Sequence, residues 1–240
     1  MMSYYILISF ILFLGSFALG TAGFGFALVS VPLLSIVVSP KFAVPFVLVY
    51  GYGTNFFLLL RFKEYINWQK AWPMIMGALP GIPVGIYTLK YTEDVVIKKI
   101  VGGAVIIFVL WNLFVRTERS YTVSRFWGLL AGFASGILSG ACGISGPPVV
   151  MYVTLNRWEK NLTRATLQFF FFVMGTGTLF GLIIEKVLTL QVLRFNLLYF
   201  PVVILGGVTG YLFFKRTSPR IFNGILLCLL LAIGLFLVSS

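Results

Sequence analysis

Residues 128 to 152 read GLLAGFASGILSGACGISGPPVVMY, and no single helix accommodates them. Gly128, Gly132, Gly136 and Gly140 recur every fourth residue, so on a helix they form one bare stripe against which a second helix backbone packs closely. Beyond the stripe, Gly143 and Gly146 loosen the backbone, and Pro147 and Pro148 stop helical continuation because each lacks an amide proton and clashes with the preceding turn. Pro147 nevertheless suits the first turn of a new helix. The stretch therefore predicts helix, break, helix in an apolar setting. Inside a membrane such a break is tolerated only where protein buries the loose backbone or the backbone lines a cavity.

The membrane itself follows from composition. Hydrophobic residues make up 60% of the 240, charged residues 10%, and the mean hydropathy is +1.03, which leaves too little polar surface to coat a soluble core. Apolar runs recur from end to end without a linker, so we read an all-α polytopic membrane protein with one membrane domain over residues 1–240. The opening MMSYYILISFILFLG lacks the positive start and cleavage pattern of a signal peptide and is read as part of the mature chain. A net charge of +12 is scattered through short loops instead of forming one face, which speaks for topology and against nucleic acid. With no histidine and only Cys142 and Cys228, the chain offers no metal-ligand pattern and calls for no cofactor; Cys228 is expected in packing.

Eight segments emerge: 4–38, 42–60, 71–89, 99–115, 126–155, 165–184, 195–214 and 221–238. Six are close to the ~20 residues that one crossing needs. The first and fifth are too long, and glycines interrupt each midway, at Gly20, Gly23 and Gly25 and at Gly140, Gly143 and Gly146. The halves also match. Gly20 and Gly23 precede Gly140 and Gly143 by 120 positions, Ile66 to Gln69 precede Leu188 to Gln191 by 122, and Gly81, Gly85, Lys90 and Thr92 precede Gly206, Gly210, Lys215 and Thr217 by 125. A slowly drifting offset is what small loop insertions leave in a duplicated unit, here about 1–117 and 122–240.

Lysine and arginine counts orient the chain. If the two long segments enter and return, the loops at 61–70, 116–125, 157–164 and 215–220 share a side with twelve of these residues, leaving six opposite. That hairpin reading gives each repeat an odd number of complete crossings. The two repeats are then inverted, each a broken or re-entrant hairpin plus three transmembrane helices, in a cell membrane with both termini outside. Charge alone leaves open whether the hairpin arms cross fully.

The six carboxylates, Glu64, Glu93, Asp94, Glu118, Glu159 and Glu185, all fall in loops or at helix ends, which disfavours intramembrane acid–base catalysis and a cation site and argues against an enzyme. What the breaks offer is donors. A helix restarting near Phe26 and another at Pro147 each aim free backbone N–H groups and a positive dipole end at the preceding loop, which suits a small anion. The candidate lining is Thr21, Gly23, Phe24 and Gly25 from the first break and Ser139, Cys142, Gly143, Ser145 and Gly146 from the second. Asn55 and Gln168, on the helices that follow, complete the pocket or make interhelical hydrogen bonds. The competing reading of these glycines is close helix packing, as expected for Gly77, Gly81 and Gly85. Aromatic residues such as Phe169 to Phe172, Trp68 and Trp72 are expected against lipid or at its interface.

These paired segments, GTAGFGFALVSVPLL at 20–34 and GLLAGFASGILSGACGISGPPVV at 128–150, in a chain with two like halves, resemble the TauE/SafE family of membrane permeases, the sulfite exporter family. Members carry a run near G-x-G-G-G once per half. The second copy, Gly143 to Pro147, is close to it, and the first, Gly23 to Ala27, has fewer glycines. The resemblance implies export of sulfite or a related organosulfur anion across the cytoplasmic membrane by a proton-driven secondary transporter. From the residues alone, the expectation is a small anion moved by alternating access, with an anion channel or a non-transporting assembly protein as alternatives. Homo-oligomerisation stays open.

Overall fold

In the computed structural model, which describes residues 2–22, 25–114, 123–214 and 219–239, the chain is helical throughout, with no strand among the described residues. The first half gives α1 (Met2–Ala22), α2 (Phe26–Val37), α3 (Pro40–Phe62), α4 (Trp68–Tyr91) and α5 (Asp94–Phe114). The second gives α6 (Arg125–Cys142), α7 (Gly146–Leu155), α8 (Lys160–Ile184), α9 (Leu190–Phe214) and α10 (Pro219–Ser239). Both overlong segments are broken where the glycines predict, after Ala22 and after Cys142. Among the described residues, five helices are long and apolar enough to cross a membrane, within α1, α3, α4, α8 and α9. The first arm of segment 4–38 is one of them, which the charge count left undecided.

Each broken segment doubles back. Gly15 of α1 lies against Ser30 and Phe26 of α2, and Gly128 of α6 lies against the ring of Tyr152 in α7. The chain starts and stops use local chemistry: the Ser39 hydroxyl accepts from the Lys41 amide ahead of Pro40, and the Asn67 side chain accepts from the Lys70 amide at the start of α4.

Small residues fix the helix pairs. A Cβ at Gly77, Gly85, Gly132 or Gly136 would be driven into the backbone carbonyl of Leu129, Ile137, Met74 or Ala78, so α4 and α6 run parallel with their backbones touching. In the same way Gly206 meets Phe13 and Gly210 meets Phe17, which joins α9 to α1. Gly102 and Gly234 face each other's carbonyls, 2.7 and 3.1 Å from the would-be Cβ atoms, between α5 and α10. The second, third and fourth residues of the sequence stripe behave alike, while Gly128 accommodates a tyrosine ring instead of a backbone.

Two aromatic residues that the sequence assigned to lipid are enclosed by protein instead. Phe170 and Phe171 are buried in α8, because that helix is flanked by both α3 and α4; Trp68 and Trp72 are exposed, as expected. Cys228 departs the other way and lies on the exposed face of α10, not in packing. Large apolar side chains such as Phe57, Phe114 and Leu197 cover much of the outer surface, which suits hydrocarbon and not water.

Candidate functional site

The second break is built by Gly143. Its φ of +66° is left-handed, which glycine adopts without a Cβ penalty. There the Gly143 amide donates to the Ser139 carbonyl at 2.9 Å, the 5→1 bond of an αL cap, and the Ile144 amide donates to the Leu138 carbonyl at 3.2 Å, which together close the end of α6. Helix α7 then restarts with Pro147 and Pro148 in its first turn. Two of its first four residues thus have no amide proton, and Gly146 and Val149 supply the donors that the helix start offers. The first break is similar. Gly25 has φ +99°, its carbonyl accepts from the Val29 amide at 3.1 Å, and the amides of Phe26, Ala27 and Leu28 head α2 without intrahelical partners.

Both breaks line one cavity of about 80 Å³, Gly25 to Leu28 on one side and Gly143 to Pro147 on the other. On the scale where one water occupies about 10–15 Å³ of such space, this holds a few waters or one small oxyanion. Helix α3 contributes Gly51, Tyr52, Thr54 and Asn55, and α8 contributes Phe171 and Gly175. The described lining contains no charged residue. Its polar groups are neutral: backbone N–H, hydroxyls and one carboxamide.

Six of the sequence-derived candidates lie on this lining: Gly25, Asn55, Ser139, Gly143, Ser145 and Gly146. No hydrogen bond among the described residues engages the Asn55 carboxamide or the Ser145 hydroxyl, whereas Ser139 sits 2.8 Å from the Thr178 hydroxyl and ties α6 to α8. Three candidates lie off the lining. Thr21 is buried and donates to the Ala18 carbonyl at 2.9 Å, one turn back in its own helix. Cys142 turns its thiol into the packed core with no exposed surface, and Gln168 is buried elsewhere in α8. Gly23 and Phe24 lie outside the described residues.

Tyr52, Thr54 and Phe171 belong to the lining and were not anticipated. Thr54 spends its hydroxyl on the Tyr50 and Gly51 carbonyls, so it shapes the wall more than it offers a donor. Tyr52 stacks on Phe172 with centroids 5.2 Å apart and an 18° tilt, and its hydroxyl is 3.5 Å from that of Thr176. The available signal was the run YGYGTN at 50–55: a Cβ on Gly51, which lines the cavity, meets nothing within 4 Å. Apolar walls with neutral donors strip water from an anion and replace it with N–H and O–H groups.

A family model described as Sulfite exporter TauE/SafE matches residues 7–237. The chain is 26% identical over 178 residues, 71% of its own length and 68% of the other's, to a protein of Cupriavidus necator named "Probable sulfite/organosulfonate exporter TauE". No solved structure matches.

Proposed function

Because the chain belongs to the TauE/SafE family of sulfite exporters, we propose that it is a secondary transporter that exports a small sulfur-containing oxyanion, sulfite or an organosulfonate, through the cavity between the two helix breaks. The observation that carries this reading is that both breaks line the same small, uncharged, donor-bearing cavity. An anion there loses hydration and gains backbone and side-chain donors, without a fixed cation that would hold it too tightly for release.

Movement follows from the two halves. The repeats are inverted in this reading, with loops 61–70, 116–125, 157–164 and 215–220 cytoplasmic and both termini outside. One repeat rocks against the other about the cavity, in the manner that inverted repeats permit. With no carboxylate on the described lining, no protein acid there is available to carry a proton; sulfite can cross as hydrogensulfite, whereas an organosulfonate crosses as the bare anion.

The test is sulfite flux in proteoliposomes. A lost charge-assisted hydrogen bond removes about 1.5–3 kcal/mol, so Asn55→Ala and Ser145→Ala are each expected to lower kcat/KM about 10- to 100-fold. Their melting temperatures should stay close to that of the parent chain, since neither side chain has a partner among the described residues. Full activity in both variants would rule out this cavity as the route.

A further inference from the structure

A second concavity lies away from the central cavity, at the end of the molecule where α4 and α6 begin. It measures about 210 Å³ and gathers Asn67, Gln69, Lys70, Arg125, Tyr152 and Trp158. Its electrostatics are one-sided. The two parallel helices both present their N-termini here, each worth roughly half a positive charge, and neither has an acidic residue in its first turn. Lys70 and Arg125 sit in those first turns. Among the described residues the only ion pair is Lys90 with Glu185, so no carboxylate of the described residues pairs with either cation.

The walls are held in place. The Lys70 ammonium lies 4.8 Å from the centre of the Trp158 ring, which fixes the cation without removing its charge. Trp158 in turn stands edge-on to Tyr152 at 6.0 Å. The Tyr152 ring is buried against Gly128, where an added Cβ would meet it at 3.0 Å. Asn156 accepts from the Val123 amide at 3.2 Å and donates to the Tyr152 carbonyl at 2.9 Å, which pins the strands of chain on both sides.

We propose that this cleft is a binding site for an oxyanion head group, –SO3⁻ or phosphate, held between Lys70 and Arg125 with Asn67 and Gln69 as neutral neighbours. The same chemistry is presented by a dissolved sulfonate or phosphate and by an anionic lipid head group. Helix α7 joins it to the central cavity: from Gly146 on that cavity to Tyr152 here is about 9 Å along the helix axis. The inference does not depend on transport through the central cavity.

The experiment reads Arg125 itself. The full chain in phosphatidylcholine nanodiscs is treated with phenylglyoxal, and the Arg125 adduct is quantified by peptide mass spectrometry, with Arg194 as reference. Methanesulfonate or inorganic phosphate is expected to slow Arg125 modification about fivefold and to leave Arg194 unaffected, and the protection should fade as ionic strength rises. Protection by dissolved anions in neutral nanodiscs identifies a solute site; protection only when phosphatidylglycerol is included identifies a lipid head-group site. Lys70→Gln should abolish the protection and Lys70→Arg should keep it. Unchanged Arg125 reactivity in every arm, or protection that survives Lys70→Gln, overturns the site.

Discussion

Among the described residues, Gly143 and Gly25 are the two glycines with left-handed backbone, at φ +66° and +99°. A side chain in the left-handed region costs on the order of 1–2 kcal/mol. At Gly143 the space is not the obstacle, since an added Cβ would meet Val44 at an ordinary 3.4 Å. Gly143→Ala is therefore expected to lower the melting temperature in detergent by a few degrees without unfolding the chain; an unchanged or raised value would show that the left-handed turn is not strained by a Cβ. Punctuation of this kind was legible in the sequence, because glycine and proline act through their own backbone chemistry. The direction of neighbouring side chains was not. Cys142 and Thr21 sit beside the breaks, yet core packing takes the thiol and the Ala18 carbonyl takes the hydroxyl, leaving both off the cavity. Asn55, a full helix away in sequence from either break, reaches it because α3 brings its face there.

At the level of elements, glycine spacing announced seams but not their partners. Two stripes of the same period, at Gly77 to Gly85 and at Gly128 to Gly140, are interchangeable as patterns; only the folded chain joins α4 to α6. Substitution separates seam from mere helix. Gly136→Ala gains up to about 1 kcal/mol of helix propensity but drives its Cβ into the Ala78 carbonyl, so a net loss of roughly 1–3 kcal/mol is expected. Gly103→Ala, whose Cβ meets nothing within 4 Å, should be neutral or stabilising. Thermal denaturation of the two variants checks the contrast, and equal behaviour would mean that α4 and α6 do not touch. Phe170 and Phe171 mark the opposite limit: a run of four phenylalanines reads the same in lipid and in a core, and burial between α3 and α4 decides it.

Across the whole molecule, the two backbone seams correspond. Gly85 meets Ile137 and Gly210 meets Phe17; Gly81 meets Phe133 and Gly206 meets Phe13. Moving the α1 residues by 120 positions and the α4 residues by 125 converts one seam into the other, the same offsets that relate the halves in sequence. A duplicated unit gives this result, and in the proposed cycle each repeat lends its broken hairpin to a cavity that the other completes. The central claim is that both breaks hold one anion together. Its most direct measurement uses Ala27→Cys and Ser145→Cys, one lining position from each break, in a Cys228→Ala background with the buried Cys142 retained. Labelling by an anionic methanethiosulfonate is followed as methanesulfonate is titrated. Protection of both cysteines with the same half-saturation is the expected result; protection of one alone, or of the two at different concentrations, would contradict a shared site.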